Sequence, residues 1–131
     1  KVPLFLAQRA LPWMMKHRWG RIINISSIGI KFGGGLQTAH YAISKAALEA
    51  LTQTLHRACA PYNVLVNTIR VGITNTKMHT SVPRKNLDER INLIPLKRMA
   101  EPEEIANTIG FLVSEESSYI AGSTLTVAGG E

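Results

Sequence analysis

Tyr41 and Lys45 are the two residues of this chain whose types and spacing could do chemistry together. They stand four positions apart in Ala39-His40-Tyr41-Ala42-Ile43-Ser44-Lys45-Ala46-Ala47, inside a run from Leu36 to Ala60 without Gly or Pro. Alanine and leucine are abundant there, and both favour helix. On a helix, positions i and i+4 share a face, with Cβ atoms about 5–6 Å apart. A phenol is thereby held beside a permanent cation. A free phenol titrates near about pH 10, and a neighbouring cation favours the phenolate. Bringing that titration to neutrality takes roughly 4 kcal/mol. One ion pair at about 4 Å supplies that much only at an effective dielectric of about 20 or below. The pair therefore suits proton transfer in a site partly shielded from water. The bland alternative is a Tyr packed in a core with a Lys reaching solvent, and the spacing by itself does not separate the two.

The flanking segments decide what else could meet this pair. Ile22, Ile23 and Ile25 form a short β-branched run that predicts a buried strand ending in Ser26 and Ser27. A loop with Gly29 and the triplet Gly33-Gly34-Gly35 follows. Val64 to Ile69 predicts a second buried strand, ending in the loop Arg70-Val71-Gly72-Ile73-Thr74-Asn75-Thr76. In open parallel sheets, ligands bind beyond the carboxyl ends of the strands. The serines, the Tyr–Lys helix and this loop thus converge on one sheet edge.

Five segments, in this order, carry a resemblance to a known family: the strand from Arg21 to Ser27, the Tyr41–Lys45 pair, Val64 to Thr76, Pro95 to Ala106, and Gly122 to Gly130. The chain resembles the C-terminal half of a short-chain dehydrogenase/reductase, close to the 3-oxoacyl-carrier-protein reductase branch. The resemblance implies an α/β fold with a doubly wound, Rossmann-like parallel sheet, of which these residues form the C-terminal part. It implies a hydride passing between the nicotinamide of NAD or NADP and a carbonyl or alcohol substrate. Tyr41 would exchange the proton with the substrate oxygen. Ser27, fourteen positions before it, would hold that oxygen. Lys45 would assist Tyr41 and hold the nicotinamide ribose. Gly72, Thr74 and Thr76 would lie along the cofactor, with the carboxamide on the backbone near Thr74. The first helix and the Tyr-bearing helix would pair with their copies in a homo-oligomer, a dimer or tetramer.

Two departures from the family pattern follow. Val71-Gly72 stands where the family usually has Pro-Gly, which predicts an extra N–H and a looser turn. No Gly-rich turn opens a helix before residue 36, and the family's catalytic Asn would fall just before Lys1. The chain is therefore expected to be truncated at its start. That leaves a sheet edge and an apolar face uncovered, and the 131 residues alone are expected to be inactive.

The remaining organisation reads as one domain. Residues 4–17 predict a helix containing Pro12, and Gly20 stops it. Leu36 to Ala60 predicts the Tyr-bearing helix, from about Gln37, with Ile43, Ala47, Leu51 and Leu55 on one apolar face. Residues 74–94 read as an irregular flap over the site, including Met78, His79, Val82 and Pro83, with a short helix from Leu87 to Leu93. Glu101-Pro102-Glu103-Glu104 is a helix start, and that helix runs to about Val113. Ser123 to Val127 predicts the last strand.

The net charge is +6, unevenly spread. Residues 1–87 hold twelve Lys or Arg against one acid, Glu49; residues 88–131 hold three against eight. The basic residues are scattered without stacking aromatics, which argues against nucleic acid. No apolar run reaches the roughly 20 residues of a membrane span, and the opening residues are too short for a secretory signal. One cysteine, Cys59, excludes an internal disulfide and fits a reducing, cytoplasmic compartment. No second cysteine offers a metal site. The rival readings are a non-catalytic dinucleotide sensor or partner-binding member of the same fold, an inactive fragment, and a basic nucleic-acid binder.

Overall fold

Strand β2 (Val64–Val71) is the middle of a three-stranded parallel sheet, with β1 (Gly20–Ser27) on one side and β3 (Thr124–Val127) on the other. This computed structural model describes residues 1–33, 35–80 and 86–131. Six consecutive residues of β2, Val64 through Ile69, are buried. A strand covered on both faces and paired on both edges must be apolar or internally satisfied throughout. The two polar members of that buried run obey the rule. Asn67 donates to the Ile120 carbonyl and accepts from the Ser123 N–H, while the Thr68 hydroxyl meets that of Thr52 at 2.7 Å.

Helix α1 (Val2–His17) runs unbroken through Pro12 and ends at Arg18 in the left-handed conformation. Leu11, Met14 and Met15 pack on the cluster of Cys59, Val64 and Val66. Gly20 is required where the chain then turns into β1, because a Cβ there would lie 2.7 Å from the Met14 sulfur. Trp13 stays exposed and stacks on His17, and Trp19 donates to Glu115.

A 3-10 turn, Leu36–Thr38, leads into α2 (Ala39–Cys59), so the α-helix proper begins two residues later than expected. The face α2 turns to the sheet differs in part from expectation. Of the expected stripe, Leu55 packs on the core and Leu51 is half-buried, whereas Ile43 is 70% exposed and Ala47 is exposed; Lys45, Leu48, Glu49, Thr52 and Cys59 also turn inward. The helix carries two usable stripes, and the inner one is chosen because its polar groups find partners on the strands.

Helices α3 (Lys77–Thr80) and α4 (Leu87–Leu93) occupy the expected flap region. Val82 and Pro83, assigned to that flap, lie outside the described residues. Helix α5 (Pro102–Val113) begins with Pro in its first turn, and the Glu104 carboxylate accepts the Glu101 N–H at 2.8 Å. Its Ile105 and Leu112 are buried. Both α2 and α5 pack on β1 and β2, from opposite faces. Asn24 and Thr68 reach α2, while Arg21 reaches Glu115 just beyond α5.

The expected looseness at Val71 is not found. Val71 lies within β2, in register with Ser27 on one side and Val127 on the other. An ordinary residue keeps its N–H for the ladder where a Pro could not. The far edge of β1 has no strand partner among the described residues. The Gly20 N–H donates to the Asn63 carbonyl, toward β2. Main-chain groups alternate along a strand, so those of Arg21, Ile23, Ile25 and Ser27 face the open edge. No helix among the described residues is long and apolar enough to cross a membrane.

Candidate active site

The carboxyl end of β1 and the first turns of α2 are tied together by two contacts. Ser26 is buried and its hydroxyl donates to the Lys45 carbonyl at 3.2 Å. The Lys45 ammonium donates to the Ile25 carbonyl at 2.9 Å. That carbonyl faces the open edge, which is why a side chain can reach it. Lys45 Nζ also lies 5.8 Å from the Tyr41 ring centroid, within the range of cation–π attraction. The helical spacing thus does bring the phenol and the ammonium together.

Ser27 ends β1 and caps the turn Ile28–Ile30, its hydroxyl accepting the Gly29 N–H at 3.2 Å. That turn packs on α2. Ser27 therefore lies at the end of β1, next to a turn that packs on the helix of Tyr41 and Lys45, while the direct bond to α2 comes from Ser26. Ser44 Oγ donates to the Tyr41 carbonyl at 2.7 Å, a contact to its own helix backbone. The shielding expected around the phenol is not present among the described residues, since Tyr41 is 41% exposed. A cavity of about 120 Å³ beside Ile73, Ile94 and Ala128, and a groove of about 390 Å³ along Ile23, Ile25 and Leu48, lie elsewhere. Neither is lined by Ser27, Tyr41 or Lys45.

The loop after β2 leaves the sheet at the same end. Gly72 donates to the Val127 carbonyl, and a Cβ on it would lie 2.7 Å from Ala128 Cα. Its smallness is thus used for packing β2 on the chain after β3. Thr74 bridges to Ala100 through its neighbours: Ala100 donates to Ile73, and Asn75 donates to Ala100. The N–H and C=O of Thr74 itself consequently turn the other way. Its hydroxyl donates to the Gly72 carbonyl at 3.2 Å. Thr76 is exposed, and its carbonyl accepts the His79 N–H at the start of α3.

Beneath the strand tips lies an ion pair that motif reading passed over. Arg70 reaches Glu49 with two bonds, Nε to Oε1 at 3.0 Å and Nη2 to Oε2 at 2.7 Å. Burial pushes the Glu49 carboxyl up, but the hydrogen bonds and charge of Arg70 outweigh it, leaving the group below its ordinary value. The hydrogen bond to Glu49 raises Arg70. The signal available in the sequence was Glu49 itself, the single acid among twelve cations and one helical turn past Lys45.

Residues 2–131 match a family model described as enoyl-(acyl carrier protein) reductase. The chain belongs to the short-chain dehydrogenase/reductase family. It is 41% identical over 125 residues to a 3-oxoacyl-[acyl-carrier-protein] reductase of Aquifex aeolicus, covering 95% of this chain and 50% of the relative. It is 43% identical over 111 residues to a (3R)-3-hydroxyacyl-CoA dehydrogenase of Canis lupus familiaris, covering 85% of this chain and 42% of that one. Among solved structures, a 3-oxoacyl (acyl-carrier-protein) reductase of Agrobacterium tumefaciens with NADP bound superposes with a TM-score of 0.88 at 33% identity, covering 98% of this chain and 51% of that one. The chain thus spans about half the length of the curated relatives it matches. Its parallel sheet with flanking helices is the Rossmann-like arrangement of the family.

Proposed function

We propose that these residues form the catalytic part of an NAD(P)-dependent oxidoreductase acting on a carbonyl or alcohol. The observation that carries the reading is the joining of the Tyr41–Lys45 helix to the β1 tip that bears Ser27, through the Ser26 and Lys45 bonds. The names of the relatives favour 3-oxoacyl or 3-hydroxyacyl groups as the substrate class. The half-buried Lys45 ammonium suits ribose hydroxyls. The outward main chain of Thr74 suits a carboxamide, which needs one donor and one acceptor side by side. These groups fit a nicotinamide nucleotide, with NADP favoured by the bound cofactor of the Agrobacterium tumefaciens protein. Gly72 and Thr76 would flank it. The Gly-rich turn for the pyrophosphate would lie outside these residues.

When bound, the reduced nicotinamide supplies the hydride. Ser27 donates its hydroxyl hydrogen to the carbonyl oxygen and orients it. Tyr41 gives that oxygen a proton as the carbon is reduced, and takes it back in the reverse direction. Lys45, 5.8 Å from the Tyr41 ring, would hold the ribose. Bound nucleotide and substrate would also cover the exposed Tyr41 ring, providing the shielding the phenol lacks here. The outward stripe of α2 at Ile43 and Ala47, with exposed Phe5, Leu6 and Trp13 of α1, suits a homo-oligomeric contact. A cytoplasmic location accords with the free, buried Cys59.

The test is Tyr41→Phe in the full-length protein. NADPH-dependent carbonyl reduction should fall at least about 100-fold, with NADPH binding by fluorescence nearly intact. Retained turnover would remove Tyr41 from the proton-transfer role.

A further inference from the structure

We infer that Glu49 and Arg70 act as a positioning pair, locking the Tyr41–Lys45 helix to the strand tips so that the reacting groups keep their geometry. The inference rests on the oxidoreductase reading above. Arg70 occupies a junction of the sheet, in register with Ser26 on β1 and Thr126 on β3. Its guanidinium reaches Glu49 on α2 with a bidentate bond, the geometry that fixes direction as well as distance. Side-chain exposures of 24% for Arg70 and 17% for Glu49 keep the pair largely out of water. Two residues after Arg70 the chain enters the loop of Gly72 and Thr74. One helical turn before Glu49 stands Lys45, whose carbonyl takes the Ser26 hydroxyl. The pair thus links the element bearing the proton donor to the strand that leads into the proposed cofactor loop.

The charge distribution supports a dedicated use. Within the first 87 residues Glu49 is the single acid among twelve cations, and Arg70 is the one that pairs with it among the described ion pairs. Glu49 is engaged by Arg70 through two bonds. Val71 acts with this arrangement: by keeping β2 paired through residue 71, it holds Arg70 inside the sheet instead of in a loop.

A displacement of about 1 Å at a reacting centre can cost about 100-fold in rate. In the full-length protein, Glu49→Gln and Arg70→Ala should lower kcat about 10- to 100-fold, with a much smaller change in NADPH affinity and the far-ultraviolet spectrum unchanged. Arg70→Lys should restore part of the loss, since an ammonium keeps the charge but not the fork. Arg98→Ala, which breaks the exposed pair with Glu104, should leave kcat unchanged. Amide exchange should quicken at residues 24–28 and 41–45 in Arg70→Ala and stay the same at 102–113. An unchanged kcat in folded Glu49→Gln would overturn the inference, as would equal losses in Arg98→Ala. Should the unaltered protein reduce no carbonyl, the enzymatic reading itself fails. The pair is then judged on exchange alone: faster exchange confined to those two segments supports it, and unchanged exchange overturns it.

Discussion

The two helices that sandwich the sheet meet it with different chemistry. On one face, α2 offers Glu49 and Thr52 to Arg70, Thr68 and Asn24, all of them buried or half-buried. On the other, α5 buries Ile105 and Leu112, and its arginine–carboxylate pair, Arg98–Glu104, sits outside with side-chain exposures of 52% and 43%. Both pairs are bidentate, with Arg98 reaching Glu104 twice at 2.7 Å. Similar bonds therefore serve different ends. In partial burial, the pair's geometry couples elements and its loss leaves a charge poorly solvated. In water, it fastens the start of a helix and is screened. The side-chain bonds made by the helices themselves fall on the α2 face, beside the apolar cluster of Cys59, Val64 and Val66. On the α5 face the helix contributes apolar contacts, while the buried polar groups Arg21 and Asn67 find partners outside it, at Glu115, Ile120 and Ser123.

The comparison is broken most severely at Leu112. Leu112→Ala should destabilise the full-length protein by about 2–5 kcal/mol in urea denaturation, since the side chain is 1% exposed. A small effect would mean that α5 is not held by its apolar face. Thr52→Val keeps the shape but deprives Asn24 of its 2.8 Å acceptor and Thr68 of its hydroxyl partner. The expected loss is about 1–3 kcal/mol, and a neutral outcome would show that the buried polar chain on the α2 face is dispensable. The smallest effect belongs to Glu104→Gln. The hydrogen bond from Arg98, then that from the Glu101 N–H, lower the Glu104 carboxyl to about 2. A depressed carboxyl stabilises the fold above its unfolded value of about 4.3 and loses that contribution as pH falls toward about 2. At neutral pH the denaturation midpoint of Glu104→Gln should barely move. Its stability should differ from the unaltered protein even less as the pH is lowered through that window. A gap that widens on acidification would contradict this reading of the exposed pair.

Much of the architecture was legible in the chain. Isoleucines and valines in short runs announced β1 and β2, and Pro102 with Glu103 and Glu104 announced the start of α5, because local propensity and capping act within a few residues. The Tyr41–Lys45 proximity followed from helical spacing alone. Other features were hidden. The inward stripe of α2 was only partly legible in sequence: of Ile43, Ala47, Leu51 and Leu55, Leu55 packs on the core, but the more polar stripe of Lys45, Glu49 and Thr52 faces the strands in place of Ile43 and Ala47. Arg70 looked like a loop residue until β2 was seen to continue through Val71.

What the sequence determined by itself is the main helices and strands, their order and the nearness of Tyr41 to Lys45. Those depend on neighbours a turn or a strand step away. Tertiary structure alone decided which groups satisfy one another: Ser26 rather than Ser27 bonding to α2, Lys45 reaching the Ile25 carbonyl on the open edge, and Glu49 joining Arg70 across 21 residues of chain. A buried polar atom takes whatever partner the packed sheet and helix bring within about 3 Å, and that pairing exists only once distant segments lie side by side.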